Sequence, residues 1–122
     1  MHEDELVLVR SFIVQTQLIA SIERSMSEIK SAQATMKNVM VRCLEYMAYI
    51  ANRELSVLKR ELYRQGIRID ASEAGRYRYR CRGIDGVIGI GQDELKTEIA
   101  AKLARYMEGI SGRFRGLQRA ES

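Results

Sequence analysis

The stretch Arg76-Tyr77-Arg78-Tyr79-Arg80-Cys81-Arg82-Gly83-Ile84-Asp85-Gly86-Val87-Ile88-Gly89-Ile90-Gly91 decides the fold class. Its first seven residues alternate strictly, arginine against tyrosine or cysteine, and a helix cannot keep a period of two on one face. Tyrosine also favours strands. Asp85-Gly86 is a strong two-residue hairpin signal, and residues 87–90 read as the returning strand. Just upstream, Ile67-Arg68-Ile69-Asp70 alternates as well and 71–75 read as a loop, so 67–91 are predicted to form a small antiparallel meander. With the turn at Asp85-Gly86, Ile84 faces Val87, Arg82 faces Gly89, Cys81 faces Ile90 and Arg80 faces Gly91. Tyr77, Tyr79, Cys81, Ile88 and Ile90 then share an apolar side that packs on helices. Arg76, Arg78, Arg80 and Arg82 share the other side, next to a bare strip of glycine backbone.

Working back towards the N-terminus, residues 2–65 contain neither Gly nor Pro and are rich in helix formers. Glu3, Asp4 and Glu5 at the start and Lys59, Arg60 and Arg64 at the end complement a helix dipole, and Gly66 is placed as the residue after the C-cap. Leu8, Phe12, Ile19, Ile22, Met26, Ile29, Met36, Met40, Cys43, Met47 and Ile50 follow steps of three and four, with Gln15 and Gln33 filling two seam positions. After Ile50 the seam shifts to Ala51, Leu55, Leu58 and Leu62, a four-residue stutter that turns Glu54 and Glu61 towards solvent. One continuous rod of about 96 Å and a helical hairpin both fit this pattern. The hairpin is preferred, because 39–51 are apolar nearly all round and need cover, 6–22 can supply it, and 23–38 are polar enough to turn. The turn is expected between Ser25 and Asn38, near Ser31-Ala32-Gln33-Ala34-Thr35. The four-methionine stripe Met26, Met36, Met40 and Met47 reads as core rather than as an adaptable groove.

Downstream of the meander, Asp93 reads as an N-cap. Leu95, Ile99, Leu103 and Tyr106 or Met107 then line one stripe of a third helix over 93–108, ending at Gly109 and leaving 109–122 as a flexible basic tail. The expectation is therefore one α+β domain over 1–122, mostly helical: a long helical hairpin, a small β-hairpin or three-strand meander, and a C-terminal helix. A length of 122 residues suits one domain.

Composition narrows the function classes. The chain is 46% hydrophobic and 30% charged, with no Pro, two Cys and one His. That excludes a disulfide-dense scaffold and makes a histidine-built metal site or a Ser-His-Asp or Cys-His catalytic group unbuildable from anything but His2. The densest apolar run, 39–51, is short of the roughly 20 residues a bilayer needs and holds Arg42 and Glu45, so no membrane partner is expected. The acidic start is unlike a signal peptide. Cys43 lies in an apolar helical run and reads as a buried reduced thiol, and the expected compartment is the cytoplasm. The glycine-rich junction 86–93 lacks a phosphate-loop signature, and Asp93 and Glu94 would repel a phosphate there. No cofactor or enzymatic activity is expected.

Two features carry a functional expectation. The net charge is +4, and Arg76, Arg78, Arg80 and Arg82 fall within seven residues without an acid among them. Guanidiniums spaced about 6.6–7 Å along one strand face suit an acidic protein patch or a phosphate backbone; an ordinary solvated sheet face would also be polar. The second feature is the amount of apolar helical surface. Phe12, Ile19, Ile22, Met26, Met40, Met47 and Ile50 form a candidate core or oligomer seam, which points to a homo-oligomer, expected to be a dimer. The combined expectation is a self-associating helical interaction module with an Arg-rich hairpin surface. Nucleic-acid binding through the same arginines is the alternative.

Overall fold

The computed structural model describes residues 3–33, 35–70 and 75–121, with side chains described through Gly112. His2 and the loop residues 71–74 lie outside the described residues, as do the side chains of the basic tail from Arg113 onward. The order of elements is α1 (Glu3–Ser31), α2 (Lys37–Arg64), β1 (Ile67–Asp70), β2 (Arg76–Cys81), β3 (Ile84–Gly89) and α3 (Gln92–Glu121). The fold is α+β and mostly helical. The first two helices make the hairpin, turning within the expected window, and the strands form one antiparallel sheet in the order β1-β2-β3.

α1 is apolar at steps of one and four along Val9, Ile13, Val14, Leu18 and Ile22, all buried. It is also long and apolar enough to cross a membrane by length and composition alone, although the apolar run singled out from the sequence lay in α2. Here that apolar surface is spent on two adjoining cores. In the first, Val9 and Ile13 meet Leu62 of α2 and Ile67, Cys81 and Ile90 of the sheet region, with Tyr77, Tyr79, Ile88 and Leu95 packed around them. In the second, Leu18, Ile19 and Ile22 meet Met47 and Ala51 of α2 and Tyr106 of α3, with Met26, Ile50 and Leu103 at the margin. The sheet thus closes the open end of the helical hairpin, and α3 runs back along both helices.

Most of the expected seam is internal: Ile19, Ile22 and Met47 are buried, and Phe12, Met26 and Ile50 are partly buried against the two cores. Met40 is a correction, since it is 43% exposed, and Met36 beside it is exposed too. Met36 is the residue before α2, in the hairpin turn, and Met40 is one turn into that helix on a side that the described cores do not reach. Cys43 is half-buried rather than buried, and both cysteines are free thiols.

α2 ends as its residues require. The Gln65 amide bonds to the Glu61 carbonyl, and Gly66 adopts φ +70° with its amide on the Tyr63 carbonyl. α3 departs from expectation at both ends. It starts at Gln92, so Asp93 sits in the first turn instead of capping it, and the Leu95 amide bonds to the Gly91 carbonyl. It also runs through Gly109 and Gly112 to Glu121. An internal glycine costs a helix about 1 kcal/mol without breaking it, and Ile110 is tied to the second core.

Candidate interaction surface

The hairpin turn is not at Asp85-Gly86. Cys81 pairs with Ile84, and the two-residue turn is Arg82-Gly83, with φ of +49° and +84°. Two successive positive φ values define the type I′ turn that matches strand twist. Asp85 and Gly86 lie inside β3, and each has a use there. Arg80 Nε donates to Asp85 Oδ1 at 2.7 Å and its Nη2 to Oδ2 at 3.3 Å. Gly86 lies opposite Tyr79, and a Cβ on it would sit 2.2 Å from the tyrosine ring. The glycine makes room for an aromatic ring across the strand pair instead of making a turn.

Gly89 therefore faces Arg76 rather than Arg82, a slip of six residues. The slip is even, so every side chain stays on its expected face. Tyr77 and Tyr79 point inward to the first core, where Gln17 Nε2 donates to the Tyr77 hydroxyl at 3.4 Å. Arg76, Arg78 and Arg80 point outward and are exposed. What changes is their surroundings. Their partners on β3 are Gly89, Val87 and Asp85, so the continuous strip of bare backbone reduces to one glycine beside Arg76. On the other side, Arg68 pairs with Arg80 and Asp70 with Arg78.

Arg82 leaves the ladder altogether. From the turn it reaches back to the first turn of α1. Its Nη2 donates to Glu5 Oε1 at 2.7 Å and its Nη1 to the Gln65 carbonyl at 3.2 Å. Glu5 is buried, and its other oxygen accepts from Cys81 Sγ at 3.4 Å. Burial, aided by the Glu5 carboxylate, pushes the Cys81 thiol upward in pKa, which makes it a poor nucleophile.

The outer sheet face thus carries four arginines, Arg68, Arg76, Arg78 and Arg80, and two aspartates, Asp70 and Asp85. Asp85 is held below the usual carboxylate range by Arg80, and Arg68 Nε lies 3.7 Å from Asp70. Among the described residues Arg76 and Arg78 have no acidic partner within salt-bridge distance. A shallow depression of about 470 Å³ runs between Arg68, Asp70, Arg78, Arg80, Asp85 and Val87. Arg68 went unnoticed as part of this face, although the alternation of Ile67-Arg68-Ile69-Asp70 already assigns it there.

A second polar constellation is internal. Gln15 is fully buried on α1; its Nε2 donates to the Ala51 carbonyl at 2.8 Å and to the Tyr106 hydroxyl at 3.2 Å, and its Oε1 accepts from Lys102 Nζ. The Tyr106 hydroxyl donates to Glu54 Oε2 at 2.7 Å. Glu54, expected in solvent after the stutter, is instead the α2 member of a network joining all three helices. Burial raises the Tyr106 pKa to about 12 and lowers that of Lys102. Near the surface, Arg10 clips α1 to α3 through Glu94 and Glu98 at 2.5 and 2.7 Å. With every partner accounted for, the internal network reads as a scaffold. Among the described residues no group of three His, Cys, Asp or Glu side chains is placed to hold a metal ion.

The chain matches the family described as YhjD protein over residues 1–111 and belongs to that family. No curated protein and no solved structure matches it.

Proposed function

We propose that this member of the YhjD protein family is a non-catalytic interaction module that presents the outer face of its sheet to an acidic protein partner. The observation that carries this reading is the uncovered face itself, with four arginines against two aspartates and two of the arginines, Arg76 and Arg78, without an acidic partner among the described residues. The interspersed aspartates favour a patterned protein surface over a continuous phosphate backbone, which they would repel at two places. The about 7 Å step from Arg76 to Arg78 to Arg80 keeps nucleic acid as the second reading.

The test is fluorescence anisotropy with labelled poly-glutamate and with single- and double-stranded oligonucleotides at about 50 and 200 mM salt. Poly-glutamate binding that falls at least tenfold in Arg76→Gln/Arg78→Gln supports the reading. Binding confined to oligonucleotides, falling steeply with salt, replaces it with the second. No binding of either kind at low salt leaves the face as solvated surface.

We further propose that the module self-associates through α2. Val39 and Val57 are 53% and 59% exposed and, eighteen residues apart, fall on one line of that helix, with Met40 (43%) and Tyr49 (59%) exposed to either side of it. Light scattering at tens of micromolar should give a dimer that Val39→Lys/Val57→Lys converts to monomer. A monomeric wild type contradicts the self-association and leaves the sheet reading intact.

A further inference from the structure

The sheet has two open edges, and they are not alike. In an antiparallel pair, hydrogen-bonded residues alternate with residues whose N–H and C=O point away. The Arg82 amide bonds to the Gly66 carbonyl, and the Ile90 amide to the Gly75 carbonyl. These two bonds set the parity of both ladders. In β1, Arg68 and Asp70 bond to β2, so the backbone N–H and C=O groups of Ile67 and Ile69 face outward. In β3 the outward groups are those of Asp85, Val87 and Gly89.

Beside the β1 edge lies a groove of about 440 Å³. Its walls are Phe12 of α1, Leu62 and Tyr63 of α2, and the strand itself. Tyr63 stands at its rim with 89% of its surface exposed, the most exposed large apolar or aromatic side chain among the described residues. The charged groups lining it are Lys59 and Arg68, and no acid lines it. An open strand edge provides main-chain hydrogen bonds, and an adjacent apolar groove selects alternate side chains; together they are the components of strand addition. β3 instead carries an acid, Asp85, whose carboxylate is taken up by Arg80 on the outer face.

We propose that the β1 edge is a docking site for an extended segment of a partner, which adds as a fourth strand and carries apolar residues alternating with acidic ones. The apolar side chains fill the groove against Phe12, Leu62 and Tyr63. The acidic ones lie one position on, facing Arg68 on the outer side, with Lys59 adding positive potential at the groove. This deepens the acidic-partner reading and rests on it for the sign of the partner's charge.

The probe is the peptide acetyl-Val-Glu-Val-Glu-Val-Glu-Val-amide, titrated into the full chain and followed by amide hydrogen exchange in ¹⁵N NMR spectra. The Ile67 and Ile69 amides should slow at least tenfold at saturation. N-methylation of alternate peptide amides should abolish this. Tyr63→Ala, which removes an exposed side chain the fold does not need, should weaken the peptide about fivefold without changing poly-glutamate binding to Arg76 and Arg78. Slowing at Asp85, Val87 and Gly89 in place of β1, equal binding of a lysine-for-glutamate peptide, or no binding would each overturn the proposal. Binding without slowed strand amides also overturns it while leaving the outer-face reading standing; that reading falls separately, on an Arg76→Gln/Arg78→Gln variant that still binds poly-glutamate.

Discussion

A methyl group added at Gly86 would land 2.2 to 2.6 Å from two ring carbons and the hydroxyl oxygen of Tyr79. The φ of Gly86 is not in the left-handed region, so the demand for glycine at this position is purely steric. Gly86→Ala must displace a half-buried ring that covers part of the first core, and overpacking of that kind costs about 1–3 kcal/mol. Urea melts should show that loss in the wild-type background and under about 1 kcal/mol in Tyr79→Ala, where the obstructing ring is gone. Equal losses in both backgrounds would mean that the backbone, not the ring, excludes alanine. The glycine was visible in the sequence and its purpose was not, because Asp-Gly is a turn signal whenever nothing opposite it competes. Here the competitor, Tyr79, is seven residues away and becomes a neighbour only once the hairpin has formed.

At the scale of elements, the turn is set by what surrounds it. Asparagine is a better residue than arginine for the first position of a type I′ turn, so local propensity alone predicts that Arg82→Asn stabilises the hairpin. The buried Glu5 carboxylate predicts the opposite, since the substitution takes away its guanidinium, and a buried charge short of its partner outweighs the few tenths of a kcal/mol available from turn propensity. Arg82→Asn should therefore lower the urea midpoint, whereas in a Glu5→Gln background the same change should raise it. A rise in both backgrounds would show that the Glu5–Arg82 contact contributes nothing. The strands and their sides were legible from periodicity, which depends on residues close in sequence, whereas the helical hairpin was read from the cover that 39–51 need, since a single rod fits the same steps. The register was not legible, because it depends on a pairing between α1 and the turn that no local pattern encodes. α3 shows the same limit: its glycines lower propensity, and the contact that overrides them, Ile110 with the second core, is long-range.

For the whole molecule, the network of Gln15, Glu54, Lys102 and Tyr106 holds three helices in one arrangement. Its titration has a definite sign. Tyr106 has its pKa raised from 10.0 to about 12 in the folded chain. The unfolded chain therefore loses this proton first, and the stability linked to it is complete below pH 10 and disappears as pH rises to about 12. The loss is on the order of 2 kcal/mol. Lys102 is shifted the other way, so its own contribution grows with pH below 10.5, in wild type and in Tyr106→Phe alike. The stability difference between wild type and Tyr106→Phe should accordingly shrink between pH 9 and pH 11.5, measured by urea unfolding at each. A difference that stays constant would place the Tyr106 hydroxyl in water. This network was half-legible: Gln15 stood out as a polar residue in an apolar seam, but its partners lie 36, 87 and 91 residues away.

Those separations bear on how the chain is made. A ribosome delivers α1 first, yet Glu5 waits for Arg82, Arg10 for Glu94 and Glu98, and Gln15 for Lys102 and Tyr106. While the second half is being synthesised, α1 and α2 can close on each other through apolar contacts, but the buried polar groups of α1 must stay bonded to water. A nascent chain halted before Tyr106 emerges already has the sheet, which ends at Gly89, but it is still a greasy hairpin with its α3 flank uncovered. It is the species most in need of a chaperone, and only the last third of the polypeptide seals it.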